Sequence, residues 1–182
     1  SSAEDWRLAN VPAEALLPRP KLDSLGPVHW TPPAAQPFDL PDQNKKSVSL
    51  SDYQGKPFIL VFYLGAGCLH CTEQLTAMAD RYPEFEKAKL PILAISTDNV
   101  ADLKISQDNY EKGTIPFPLI SDEKKDVFKA YTAHDDFENQ PLHGTFVIDG
   151  KGRVLWTDIS ADPFMDIDFL IEEANRLLEL HP

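Results

Sequence analysis

The feature that most constrains the fold is an apolar run over residues 58–64, which is followed at once by Gly65-Ala66-Gly67. Both faces of such a strand are apolar, so the strand has to be covered on both sides. The glycine turn ends the strand, and a helical pattern begins near Cys68. A buried central strand that passes directly into a helix predicts a chain of the α/β class.

The other patterned segments alternate between strands and helices. Their order, β–α–β–α–β–β–α, predicts a mixed central sheet with helices on both faces, preceded by a small N-terminal hairpin. The last helix is predicted to begin at Asp162 as its N-cap, with Pro163 in the first helical position. The predicted elements are a hairpin over 38–50, strands at 58–64, 91–96 and 117–120, helices at 68–87, 99–112 and 122–131, a hairpin over 145–156 and the last helix.

Proline divides the chain into two regions. Residues 1–41 hold eight of the sixteen prolines, and a segment of this kind cannot form a long helix. We predict a Pro-rich extended segment over residues 1–34 and one domain over residues 35–182. A Pro-rich leader suits an export-processed or multidomain protein, so the sequence favours an extracytoplasmic location, periplasmic or secreted.

Composition excludes several classes of protein. The chain has 182 residues and a net charge of 17 − 29 = −12, so it is a poor binder of nucleic acid or of anionic membrane. No apolar run approaches the ~18–20 residues that span a bilayer. Only two cysteines are present, too few for a disulfide-dense scaffold.

These two cysteines form a C-x-x-C, Cys68-Leu69-His70-Cys71, at the predicted start of a helix. The unpaired N–H groups and the positive dipole end of a helix N-terminus favour a thiolate over a thiol. Sulfurs three residues apart in a first helical turn can form a reversible disulfide. A cationic imidazole at His70 would favour the thiolate further.

Two other interpretations of the cysteines are open. Cys68, Cys71, His70 and His143 could together supply a metal site, although a zinc site usually needs four ligands and only two cysteines exist. Two inert core cysteines are the other alternative, but inert cysteines rarely lie at a strand-to-helix turn. A redox-active dithiol is therefore favoured, and the sequence predicts neither a bound cofactor nor a resident metal.

Over about residues 36–180 the chain resembles the peroxiredoxin-like branch of the thioredoxin superfamily (the redoxin, or alkyl hydroperoxide reductase/thiol-specific antioxidant, family). The resemblance implies a thioredoxin-like fold with an N-terminal hairpin of the peroxiredoxin-like type. The matching stretches are Phe38-Asp39-Leu40-Pro41, residues 48–64, residues 68–74, Ile95-Ser96-Thr97-Asp98, and Gly144-Thr145-Phe146-Val147-Ile148-Asp149 with the turn Gly150-Lys151-Gly152.

Peroxiredoxins resemble one another in a Pro-x-x-x-Thr-x-x-Cys signature and an arginine from a later strand. Matched to this sequence, the peroxidatic cysteine is Cys71, and Gln74 stands where Glu or Gln is usual. Leu64 takes the place of the proline, Cys68 that of the threonine and His143 that of the arginine.

Thioredoxin-like oxidoreductases resemble one another in a C-x-x-C that opens the first helix and faces a cis-proline. The dithiol is present here, and His143 aligns with the cis-proline. His143 therefore replaces the key residue of both comparisons. The resemblance implies that it faces the dithiol, as a general base or a partner for the thiolate.

These observations predict an enzyme, a thiol–disulfide oxidoreductase in which Cys68 attacks and Cys71 resolves the mixed disulfide, with His70 and His143 as further catalytic residues. The alternative is an atypical two-cysteine peroxiredoxin in which Cys71 attacks the peroxide and Cys68 resolves. Further alternatives are a copper-handling protein or a redox-sensing or interaction module. Expected partners are protein thiols or disulfides, or a peroxide, with an electron-donating thiol system.

Overall fold

The computed structural model describes residues 31–65, 67–108 and 110–182, and within residues 69–71 it describes the backbone only. Of the predicted extended segment, residues 1–30 therefore lie outside the described residues. Pro33 O accepts from Val154 N, in the last strand, at 2.8 Å, and Ala35 N donates to Gly152 O, in the turn before that strand, at 2.7 Å. The division of the chain at residue 34 stays a prediction.

Strands and helices alternate through the described part of the chain. The strands are β1 (Asp39–Pro41), β2 (Ser47–Ser49), β3 (Phe58–Tyr63), β4 (Ile92–Ser96), β5 (Leu119–Ser121), β6 (His134–Asp135), β7 (Gln140–Pro141), β8 (His143–Ile148) and β9 (Val154–Ser160). The helices are α1 (Leu69–Asp80), α2 (Tyr82–Lys87), α3 (Val100–Asp108), α4 (Asp126–Ala130) and α5 (Ile167–Leu180), with a 3₁₀ turn over Leu50–Tyr53. None of the described helices is long and apolar enough to cross a membrane.

The central sheet has the strand order β5-β4-β3-β8-β9. β4 runs parallel to β3 and to β5, whereas β8 runs antiparallel to both β3 and β9. The end of β3 therefore lies beside the beginning of β8, where Phe62 is registered with Gly144. This arrangement confirms the predicted mixed sheet, and β1 and β2 form the predicted N-terminal hairpin.

The core lies on both faces of β3, whose six residues are all buried. Ile59, Val61 and Tyr63 belong to a cluster that also contains buried residues of α1, α2, α3 and α5. Phe58, Leu60 and Phe62 face the opposite cluster, to which α4 contributes. An all-apolar strand is thus explained by cover on both sides, as in other α/β sheets.

Several helix boundaries differ from the sequence prediction. α3 covers Val100–Asp108 rather than 99–112, and α4 covers Asp126–Ala130 rather than 122–131. Two further differences have a clear physical cause. The helix predicted over 68–87 is two helices that meet at Arg81, because Pro83 lies in the first turn of α2 and cannot continue a preceding helix. The N-cap of α5 is Asp166 rather than Asp162, and its carboxylate accepts from Phe169 N at 3.0 Å. Phe164 lies between these two aspartates and packs against Trp156, with ring centroids 5.0 Å apart. Residues 162–165 are not helical.

Candidate active site

Cys68 lies in the loop between β3 and α1, immediately before the first helical residue. Its backbone N–H donates to Gly65 O at 3.1 Å, and its carbonyl accepts from Thr72 N at 3.2 Å, the first bond of the helical turn. The Cys68 side chain is half-buried. Cys71 falls in the first turn of α1, as predicted from the sequence, while the side chains of Cys71 and His70 lie outside the described residues.

Among the described side chains, the fold places His143 close to Cys68. His143 begins β8, is buried, and its Nε2 lies 3.9 Å from Cys68 Sγ. Its other ring nitrogen, Nδ1, lies 2.8 Å from Ala161 O. A carbonyl oxygen can only accept, so Nδ1 carries the proton. In the neutral ring, the Nε2 lone pair therefore faces the sulfur.

This pair can exchange a proton. Cys68 is disulfide-bonded in this structure. Once it is reduced, its thiol can donate to Nε2, which gives a thiolate beside an imidazolium that is held by the Ala161 carbonyl. Ala161 was absent from the sequence prediction, because a backbone carbonyl leaves no signal in residue type. The catalytic roles predicted for Cys68, Cys71, His70 and His143 stay proposals.

One loop after β9 binds both the histidine and the helix. Besides the Ala161 bond to His143, Phe164 O accepts from Gln74 Nε2 at 3.0 Å. Gln74 lies on α1, is 1% exposed, and is the residue that the resemblance matched to the usual Glu or Gln. Because Gln74 is three residues beyond Cys71 on the same helix, this bond fixes the first turns of α1 against the loop.

Gly65 shapes the turn that precedes Cys68. Its φ of +111° lies in a region that favours glycine. A Cβ at this position would overlap the carboxylate of Asp98, which follows β4. The backbone conformation and the space left beside Asp98 therefore both require glycine at this turn.

We expect Gly65→Ala to destabilise the fold by at least about 1–3 kcal/mol, the cost of forcing a side chain into this backbone region, with the overlap against Asp98 adding to it. Urea unfolding would measure the loss. Gly67→Ala is the matched control, because a Cβ at Gly67 meets nothing within 4 Å. Equal stability of the two variants would contradict this account of the turn.

Comparison with known proteins identifies the family. The family model described as "AhpC/TSA family" matches residues 33–157, a span that contains both cysteines and His143. The chain belongs to this family. The resemblance that the sequence motifs indicated is thereby confirmed, while the redox role of the C-x-x-C pattern is not tested by it.

Curated relatives carry the name peroxiredoxin. "Peroxiredoxin Q, chloroplastic" from Triticum aestivum is 39% identical over 64% of this chain and 53% of its own length. "Putative peroxiredoxin ycf42" from Porphyra purpurea is 30% identical over 76% of this chain and 69% of its own length. The chain spans about half to two thirds of the length of the curated relatives first matched.

Solved structures confirm the thioredoxin-like fold. The peroxidoxin BcpB of Mycobacterium tuberculosis is 26% identical and superposes with a TM-score of 0.69 over 84% of this chain and 97% of its own. The mitochondrial 2-Cys peroxiredoxin of Plasmodium falciparum, at 24% identity, shares the fold with a TM-score of 0.71 over 83% of this chain and 95% of its own.

The comparisons change two of the sequence predictions. The expected extracytoplasmic location is wrong, because several relatives are named as chloroplastic proteins, an organellar rather than an exported setting. A proline-rich leader does not distinguish export from other kinds of processing, so it could not carry that prediction. The comparisons also favour the peroxiredoxin alternative over the thiol–disulfide oxidoreductase that was preferred from the sequence.

Proposed function

We propose that this protein reduces peroxides, with Cys71 as the attacking residue and Cys68 as the resolving residue. The observation that carries the proposal is the family match across residues 33–157, together with the resemblance that assigns the peroxidatic position to Cys71. Relatives named peroxiredoxin support the same reaction. The position of Cys71 in the first turn of α1 is consistent with a stabilised thiolate.

In the first step, the Cys71 thiolate attacks the terminal oxygen of the peroxide. The S–O bond forms as the O–O bond breaks, and the remaining oxygen leaves as water or an alcohol after taking up one proton. The sulfur is oxidised to a sulfenic acid and the peroxide is reduced by two electrons. His143 stands at the position where peroxiredoxins resemble one another in an arginine, and its ring can donate to an oxygen when it is protonated.

In the second step, Cys68 attacks the Cys71 sulfenic sulfur. His143 Nε2, 3.9 Å from Cys68 Sγ, takes the thiol proton. The S–S bond forms, the S–O bond breaks, and hydroxide leaves as water with the proton held on the imidazolium. An external dithiol then reduces the disulfide and returns both cysteines to thiols.

Thiol–disulfide exchange is the second candidate, with Cys68 as the attacking residue. The contact between Cys68 Sγ and His143 Nε2 favours it, because an adjacent base activates a half-buried thiol that precedes the helix. Copper handling remains a prediction, since His70 and Cys71 would have to complete a site. Among the described side chains, no group of three or more metal-ligating residues occurs.

A stoichiometric assay separates these functions. The reduced full chain is mixed with one equivalent of hydrogen peroxide, or with a disulfide-containing protein such as insulin, and thiol loss is followed by stopped flow. We expect rapid loss of both thiols with peroxide and slower reaction with insulin. The reverse order would favour disulfide exchange, and stoichiometric copper(I) that survives dialysis of a chain inert to both would favour copper handling.

A further inference from the structure

A small, largely enclosed cavity lies between β3, α1 and α3, beside the first turns of α1. Its volume of about 10 Å³ is on the order of the room needed for a single water molecule. Polar side chains from three elements line it: Tyr63 of β3, Thr72 and Thr76 of α1, and Ser106 of α3. A water molecule at such a site would find the two to four polar partners that buried water requires.

Tyr63 supplies an independent reason to place a ligand in this cavity. The residue is 0% exposed, and its phenolic oxygen makes no hydrogen bond of ordinary geometry with the described residues. The hydroxyls of Ser96 and Ser106 lie near enough to lower its pKa, against the larger effect of burial. A buried hydroxyl without a partner is costly, and such groups are rare in native proteins. Burial raises the pKa of Tyr63 to about 12, so the phenol keeps its proton and remains a donor at neutral pH.

We propose that this cavity binds one ordered water molecule, which accepts from the Tyr63 hydroxyl and bridges it to the hydroxyls of α1 and α3. A water molecule fits because the cavity is too small for a larger molecule, and hydroxyl-bearing side chains line it beside Leu75 and Ile115. The site is separate from the sulfur chemistry, so it does not depend on the proposed function.

Through Thr72, the water would be linked to the backbone of the turn that holds Cys68. Thr72 Oγ1 donates to Cys68 O at 3.3 Å, so the Thr72 oxygen can at the same time accept from the water. The resulting chain runs from Tyr63 through the water and Thr72 to the Cys68 carbonyl. These hydrogen bonds would link the first turns of α1 to β3.

The Tyr63→Phe variant tests the inference through the sign of its effect on stability. With the water present, the phenol has a partner, and its removal raises the unfolding constant by roughly twofold to tenfold. With the cavity dry, the variant removes an unsatisfied group and lowers the unfolding constant. Tyr131→Phe is the matched control, because the Tyr131 hydroxyl donates to Gln36 O at 2.7 Å and its loss must destabilise.

A high-resolution crystal structure of the full chain supplies the direct measurement. We expect density for one water within hydrogen-bond distance of Tyr63 Oη. An empty cavity, or a Tyr63→Phe variant more stable than the wild type while Tyr131→Phe is less stable, overturns the inference. Density together with destabilisation of both variants supports it.

Discussion

Cys71→Ser is expected to abolish peroxide consumption, with a fall of roughly a thousandfold or more, the scale that accompanies loss of a catalytic nucleophile. Serine keeps the size and the hydrogen bonding of the residue but has no thiolate at neutral pH, so the S–O bond cannot form. Stopped-flow measurement of hydrogen peroxide loss, at one equivalent of reduced protein, gives the rate.

Cys68→Ser is the matched control for this experiment, because it changes the other sulfur of the same turn. We expect it to consume one equivalent of peroxide and then stop, with a sulfenic acid on Cys71 that dimedone traps and mass spectrometry detects. If instead Cys68→Ser loses the first turnover and Cys71→Ser keeps it, Cys68 is the residue that attacks the peroxide and the proposed roles of the two cysteines are reversed.

The second large effect is expected at His143. His143→Gln keeps a polar side chain but removes the base that faces Cys68 Sγ, so disulfide formation after the sulfenic acid should slow by roughly a hundredfold. The first turnover with peroxide should slow less than the resolving step. Rapid quench with mass detection separates the two rates.

The pH dependence of the resolving rate distinguishes a base at His143 from a purely structural role. Loss of a base changes the pH profile, whereas loss of a structural contact does not. In the wild type, protonation of Nε2 at acid pH removes the base, so the resolving rate should fall as the pH is lowered. His143→Gln should lack this acid limb. His134→Gln is the control, because His134 is also buried but lies in β6 with its Nδ1 2.7 Å from Asp136. An unchanged pH profile in His143→Gln would exclude the base role.

Sequence reasoning captured the parts of this molecule that residue type encodes. An all-apolar segment such as residues 58–63 has to be covered on both sides, and the glycines after it indicate a turn. The sequence therefore predicted correctly that the C-x-x-C lies at the start of α1. The placement of His143 at the start of β8 came from the resemblance, since spacing alone does not indicate which loop residue faces the cysteines.

Other features depend on tertiary contacts and left no local pattern. The carbonyl of Ala161 orients His143, yet any residue carries a carbonyl. Asp162-Pro163 has the local pattern of a helix start, but Phe164 packs on Trp156 and its carbonyl binds Gln74, and the helix begins only after Asp166. A local N-cap signal was overridden here by packing that links residues about ninety positions apart in the chain.

The two members of the Cys68–His143 pair are held in unequal ways. His143 belongs to β8, which is flanked by β3 on one side and β9 on the other, and its ring is anchored to Ala161. Cys68 lies outside any strand or helix, on a turn whose shape depends on a glycine. The position of the imidazole is therefore fixed by the sheet and by the Ala161 carbonyl, whereas the position of the sulfur depends on the conformation of the turn.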